Sequence, residues 1–290
     1  MKIYNLGSLN IDYVYSVEHF VSAGETLASG NMQTFAGGKG LNQSIAAARA
    51  GSKVIHGGII GQNGEFLKEI MVNSGVNVSR VKSVSSPSGH AIIQVDTSGQ
   101  NSILLYGGTN LEIGREYVEN FLFDAQAGDI LVLQNEISNL NVAFDIAERH
   151  KMQIAFNPSP FDKSIKELPL HLVKWWFCNE TEGASLWGSS DPYEIAERFV
   201  REYPDSNLIL TLGSNGSLFK NCDTIIEQPI YQTNVVDTTA AGDTFTGFFI
   251  SEIANGSNIA KAMDTASKAS AITVSRKGAA PSIPYKDEIN

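Results

Sequence analysis

Cysteine is scarce in this chain: Cys178 and Cys222 are the only two among 290 residues. No CxxC pair occurs, and two thiols make a poor disulfide framework at this length. Such usage fits a reducing cytoplasm, which is the expected location. Positive charge is also short, with 21 Lys and Arg against 31 Asp and Glu and a net charge of −10. A general basic surface for a nucleic-acid backbone is therefore absent, and no nucleic-acid partner is expected. No apolar run approaches the roughly 20 residues needed to cross a bilayer, so no membrane partner is expected either. Residues 1–7 read as a core strand and not as a signal peptide. A Walker A loop is missing too, because Lys39 is followed by Gly40 where that loop needs Ser or Thr, and no GxxxxG frame precedes it. There is no internal repeat and no low-complexity linker.

What is present is an ordinary globular balance, 42% apolar and 18% charged. A chain of this size suits one large α/β domain with an appendage, or two small domains. Short continuous apolar runs at 3–6, 54–60, 130–133, 153–156, 175–178 and 208–212 are mostly separated by helix-length segments. That is the pattern of parallel strands covered on both faces by helices. Residues 40–50 and 63–74 have helical spacing, and Gly51 and Gly75 stand where helices stop. Two stretches break the rhythm. Residues 13–36 have weak helical character, and residues 89–106 read as a hairpin about the polar turn 96–100. Together they suggest a small β lid, although an ordinary edge hairpin would give the second pattern as well.

Five segments carry chemistry. In Asp237-Thr238-Thr239-Ala240-Ala241-Gly242-Asp243, small residues lead into a helix. Free amides and the positive dipole end at such a turn suit an anion that gains charge during reaction. A carboxylate at its mouth, Asp243, can take a proton from a hydroxyl that attacks a γ-phosphate. A lone Gly-Asp here would be read as a helix cap; two acids, two small residues and a glycine together favour catalysis. In Gly37-Gly38-Lys39-Gly40-Leu41-Asn42-Gln43, glycines let backbone approach a ligand closely and Asn42 offers donor and acceptor to hydroxyls. A tight strand-to-helix turn would look similar. Asn10 and Asp12 alternate onto one side beyond the first strand, and Glu136 follows the 130–133 strand, both where open α/β sheets bind ligands. Asn179 and Glu182 would share a face on a first helical turn. They suit magnesium through oxygen ligands and water, and equally suit a capping box. Thr211, Gly213 and Gly216 could wrap a nucleotide or simply form a turn. The segment 276–282 could bring carbonyls near Asp237.

Taken together these segments resemble the ribokinase / phosphofructokinase-B family of carbohydrate kinases, in register from Gly7-Ser8-Leu9-Asn10 to Lys277-Gly278-Ala279-Ala280-Pro281-Ser282. Within that family the motifs are most similar to those of its ribose-phosphorylating branch. The resemblance implies a three-layer α/β/α fold with a mainly parallel sheet, a single domain over 1–290, and a lid from the inserted segments 13–36 and 89–106. It implies ATP-dependent phosphorylation of the 5-hydroxyl of D-ribose. Asp243 would be the base, with Ala241 and Gly242 amides as the anion hole. Asn10, Asp12, Gly38, Lys39, Asn42 and Glu136 would hold the sugar. Asn179, Thr211, Gly213, Gly216, Gly242 and Ser267 would line the nucleotide, and Glu182 would organise magnesium through water. Asp237, Thr239, Thr273, Arg276, Gly278 and Ser282 would hold a monovalent cation, usually potassium. The lid would pair two subunits into a homodimer.

Two alternatives stay open at this stage: a sister kinase for 2-deoxyribose, fructose or a nucleoside, and a non-catalytic sensor on the same scaffold. Three positions depart from the common pattern: Leu41, Ala240 and Ser267. Of these, Leu41 is the one that bears on substrate choice, either by reshaping the pocket or by packing under its helix.

Overall fold

The short apolar runs become strands because each can be buried on both faces. In the computed structural model, residues 1–289 are described. The chain runs through β1 (Ile3–Leu6), β2 (Asn10–Ser16), β3 (Asn31–Gly37), α1 (Lys39–Arg49), β4 (Val54–Gly61), α2 (Glu65–Asn73), β5 (Asn77–Val84), β6 (Gly89–Val95) and β7 (Asn101–Tyr106). It continues through α3 (Arg115–Phe121), β8 (Ile130–Gln134), α4 (Leu140–Arg149), β9 (Gln153–Asn157), β10 (Val173–Asn179), α5 (Glu180–Trp187) and α6 (Pro192–Glu202). The last elements are β11 (Asn207–Thr211), β12 (Ser217–Lys220), β13 (Ile225–Gln228), α7 (Ala241–Ala254) and α8 (Ile259–Val274).

The main sheet has the order β13-β12-β11-β10-β9-β8-β1-β4-β5 among the described residues. It is parallel from β5 to β11, and β12 and β13 turn antiparallel at one edge. Alternate residues feed two cores. Ile3, Ile130 and Val132 face α1, α2, α7 and α8, where Ile45, Met71, Phe248 and Met263 are buried. Tyr4, Leu131 and Leu133 face α3 to α6, where Phe121, Phe144, Trp187 and Phe199 are buried. Both faces are thus covered, as continuous apolar strands require.

The second sheet has the order β3-β2-β6-β7. Residues 13–36, which break the helical rhythm, contribute to two strands of this sheet, and 89–106 supply the other two. Tyr13, Val14 and Tyr15 are β-formers, and pairing with both β3 and β6 overrides the poor local pattern. The sheet's first strand begins at Asn10, so Asn10 and Asp12 belong to the lid sheet itself.

β1 has β4 on one side and β8 on the other, so the strand order reverses there. Crevices at such a switch point, beyond the carboxyl ends of the strands, are where open α/β sheets bind ligands. Ser8, Gln134, Asn157, Asn179 and Thr211 all lie at those ends. No helix among the described residues is long and apolar enough to cross a membrane.

Candidate active site

The helix α7 starts at the crevice. Its N-cap, Ala240, is left-handed at φ 61°, which folds the small-residue run 237–240 back and brings Asp243 into the first turn. Asp243 Oδ1 accepts a hydrogen bond from Gln43 Nε2 at 3.0 Å, and Oδ2 accepts one from Asn42 Nδ2 at 3.1 Å. The amides of Gly242 and Asp243 have no protein partner among the described residues, while the Ala241 amide is turned onto the Thr238 carbonyl at 3.3 Å. The donors left free at the mouth are therefore those of 242 and 243, and Gly242 contributes in place of the expected Ala241–Gly242 pair. A Cβ at Gly242 would meet no atom within 4 Å, so an anion can approach. Helix α8 braces the turn: Ser270 donates to the Ala241 carbonyl at 2.9 Å.

The loop 37–42 is held against β1 by contact between backbones. A Cβ at Gly40 would lie 2.5 Å from the Gly7 carbonyl carbon, and one at Gly7 would lie 2.6 Å from Gly40 Cα. Gly38 has φ 97°. Around this loop sit the groups expected to hold a sugar. Glu136 accepts from the Lys39 amide at 3.0 Å and from the Ser8 hydroxyl. Asn10 Oδ1 accepts from Asn110 Nδ2 at 2.7 Å. Asp12 lies over Gly37, where any Cβ would collide with its carboxyl group.

Charge in this cluster is mixed and closely spaced. Burial pushes the Asp12 carboxyl up to about 7, with Glu136 adding to the rise. Burial also raises Glu136, although the Lys39 ammonium opposes it. Burial alone would lower Lys39, but the carboxylates of Asp243, Glu136 and Glu182 outweigh it and hold the ammonium above its ordinary value.

On the other side of Asp243 lies a cleft lined by Lys39, Asn179, Glu182, Thr211, Ala241, Gly242 and Asp243, with Asn157, Ser159, Phe177 and Thr246 completing the wall. Asn179 and Glu182 form a full capping box: Asn179 Oδ1 accepts from the Glu182 amide at 2.8 Å, and Glu182 Oε2 accepts from the Asn179 amide at 2.9 Å. The box leaves Asn179 Nδ2 and Glu182 Oε1 without protein partners among the described residues, so capping does not use up the pair. No cluster of three acidic, His or Cys side chains exists among the described residues. The unpaired Glu182 Oε1 at the cleft fits a divalent ion carried on phosphate oxygens and water.

Asp237 Oδ1 accepts from the Thr239 amide and hydroxyl, and Oδ2 accepts from the Gly278 amide at 2.9 Å. This ties 237–239 to 276–278 and leaves the carbonyls of Thr239, Arg276 and Gly278 unpaired among the described residues. Hard carbonyl oxygens beside one carboxylate fit a monovalent cation. Thr273 fits less freely, since its carbonyl accepts from Arg276 and its hydroxyl bonds Thr244. The Ser282 hydroxyl donates to Ala279.

Not every expected residue reaches the cleft. Ser267 is buried and donates to the Pro229 carbonyl at 3.2 Å. Gly213 and Gly216 form the turn between the antiparallel strands β11 and β12 and lie outside the cleft lining. Leu41, within the segment 37–42 and in the first turn of α1, is fully buried and packs in the core. Residues given no role from sequence also enter: Ser8 and Asn110 beside the second sheet, and Asn5, Gln43, Gln134 and Asn157 in the network that leads to Asp243.

Residues 2–286 match the family model described as pfkB family carbohydrate kinase. The chain is 37% identical over 302 residues to a ribokinase of Staphylococcus aureus, covering 100% of this chain and 98% of that one. A ribokinase structure from Thermotoga maritima superimposes with a TM-score of 0.89 at 33% identity, covering 100% and 98% of the two chains. An Arabidopsis thaliana ribokinase complexed with ribose and ATP superimposes with a TM-score of 0.89 at 28% identity, covering 99% and 97%.

Proposed function

The chain belongs to the pfkB family of carbohydrate kinases, and from that premise we infer that it is an ATP-dependent ribokinase that phosphorylates the 5-hydroxyl of D-ribose. The observation that carries this reading is the placement of Asp243 between two sites, with hydroxyl-binding groups on one side and the Asn179–Glu182 cleft on the other.

In this reading Asn10, Asp12, Gly38, Lys39, Asn42 and Glu136 hold the sugar under the lid. Asp243 takes the proton of the attacking hydroxyl as the oxygen approaches phosphorus. The free amides of Gly242 and Asp243 and the positive end of α7 stabilise the charge that gathers on the transferred phosphoryl oxygens. Lys39 adds a fixed positive charge between the two sites. Asn179 and Thr211 border the nucleotide phosphates. Glu182 would orient the water shell of a magnesium ion, which would neutralise phosphate charge there. A potassium ion held by Asp237 and the carbonyls of Thr239, Arg276 and Gly278 would draw those two loops together and stiffen the turn that carries Asp243.

We further infer one catalytic domain over 1–290, a lid drawn from 13–36 and 89–106, and a cytoplasmic homodimer paired through that lid. Support for the pairing comes from β7, an edge strand whose Ile103, Leu104, Leu105 and Tyr106 are each about half exposed or more. Apolar edge strands of this kind need a cover.

ADP release with ATP, magnesium and potassium across D-ribose, 2-deoxyribose, fructose and adenosine tests the function. A kcat/KM preference for ribose is expected. Preference for another member of the panel would refute the sugar assignment, and inertness toward all four would refute the kinase reading.

A further inference from the structure

We propose that Gln43 is the positioning residue for the base: it fixes one oxygen of Asp243, and a buried chain of amides sets the direction in which it does so. The inference deepens the function above and rests on Asp243 serving as the base.

Two side chains donate to Asp243, and they differ in what else they can do. Asn42 Oδ1 is buried without a partner, so it has a vacant acceptor to offer an incoming hydroxyl. Gln43 has nothing to offer a ligand. It is 1% exposed, its Nε2 donates to Asp243 at 3.0 Å and to Asn157 at 3.3 Å, and its Oε1 accepts from Gln134 at 2.7 Å. All of its capacity is directed at holding other groups.

A primary amide can present either end, and a reversed Gln43 would set oxygen against the carboxylate. Backbone carbonyls, which only accept, prevent the reversal. The Gly40 carbonyl takes Asn5 Nδ2 at 3.1 Å, which turns Asn5 Oδ1 toward Gln134. Gln134 must answer with Nε2, whose second proton goes to Gln43 Oε1. Gln43 Nε2 is then left for Asp243. A second anchor agrees: the Phe177 carbonyl takes Asn157 Nδ2 at 2.8 Å, which turns Asn157 Oδ1 toward the same Gln43 nitrogen. The arrangement leaves Gln134 Oε1 buried and unpaired. Flipping Gln134 would strand two acceptors in its place, so one orphan is the lesser penalty.

The two oxygens of Asp243 thereby become unequal. Oδ1 is tied to the buried network, and Oδ2 is left, with Asn42, for the acceptor hydroxyl. Alignment of this kind acts on the reacting geometry and not on substrate affinity, and a misplacement of about 1 Å can lower a rate by about 100-fold.

The test compares wild type with Gln43→Met, which keeps the side chain's length and removes its polar end, and with Gln134→Met. We expect kcat to fall by about 30- to 100-fold in Gln43→Met with the sugar KM within about threefold, and by about fivefold in Gln134→Met, where Asn157 still orients Gln43. A kcat within about twofold of wild type in Gln43→Met, or a KM that rises in proportion to the loss of kcat, overturns the inference. A second readout needs no turnover. The Gln43 side-chain amide resonance of the free protein, assigned by its loss in Gln43→Met, should move in Asp243→Asn and in Gln134→Met. A resonance unmoved by both overturns the relay whichever sugar the enzyme takes. Inertness of wild type toward D-ribose bears only on the sugar assignment, and the resonance then decides for Gln43.

Discussion

Asp12→Asn should stabilise the free protein at pH 8 while weakening its hold on the sugar. Burial, with help from Glu136, lifts this carboxyl from its ordinary 3.8 to about 7. The folded chain therefore binds more protons than the unfolded chain between those values, and stability falls through that window as pH rises. At about 1.36 kcal/mol per pH unit, the ionised carboxylate lowers stability above pH 7 by at most about 4 kcal/mol. Asp12 is partly exposed, so solvent screens some of this, and a gain of about 2 kcal/mol is expected for the amide at pH 8. At pH 5 the folded carboxyl is already protonated and the gain should shrink below about 1 kcal/mol. Urea midpoints of both proteins at pH 5, 6.5 and 8 measure this directly. An ionised Asp12 is also the better acceptor for a sugar hydroxyl, so the sugar KM should rise about 10-fold in the variant at pH 8. A stability difference that is flat across pH, or a loss at pH 8, would refute the assignment of buried-carboxylate strain to this residue.

Asp243→Asn should lower kcat by about 1,000-fold or more with ADP affinity, read by calorimetry, nearly unchanged; near-normal kcat would remove it as the base. Leu41→Ala should destabilise by about 2–5 kcal/mol through the cavity it leaves, yet keep the same order of sugar preference in a kcat/KM panel, since the Leu41 side chain is buried in the core. Ala240→Gly should raise stability by about 1 kcal/mol, because its φ of 61° is unfavourable for any residue with a Cβ; a lower urea midpoint would show that the turn is not held in that conformation.

The main sheet was legible because its strands are short, continuous and apolar, a pattern that only two-sided burial explains. The lid was less so. Residues 13–36 pair with partners as far along the chain as β6, and local spacing carries no trace of that pairing. The site divides in the same way. Asp243, Asn42, Asn179 and Glu182 stand in compact motifs with a chemistry of their own. Gln43 was visible in such a motif but without a role, because its partners Gln134 and Asn157, and the Asn5 that bonds Gln134, come from three separate strands. Ser267 and Gly216 are a different case: a Ser on a helix and a Gly after a strand are consistent with many duties, and here they bond a backbone carbonyl and shape a turn.

The contact between Gly7 and Gly40 sets a limit on how this enzyme can be diversified. With each backbone filling the space where the other would carry a side chain, the spacing between β1 and the loop 37–42 is a constant of the scaffold, beyond the reach of point substitution. Variation is left to side chains of the second sheet that do not fill such a backbone contact. A library seeking new acceptors should therefore hold positions 7 and 40 invariant, along with Gly37 and Gly89, where a Cβ would also collide, and randomise the other positions of β2, β3 and β6.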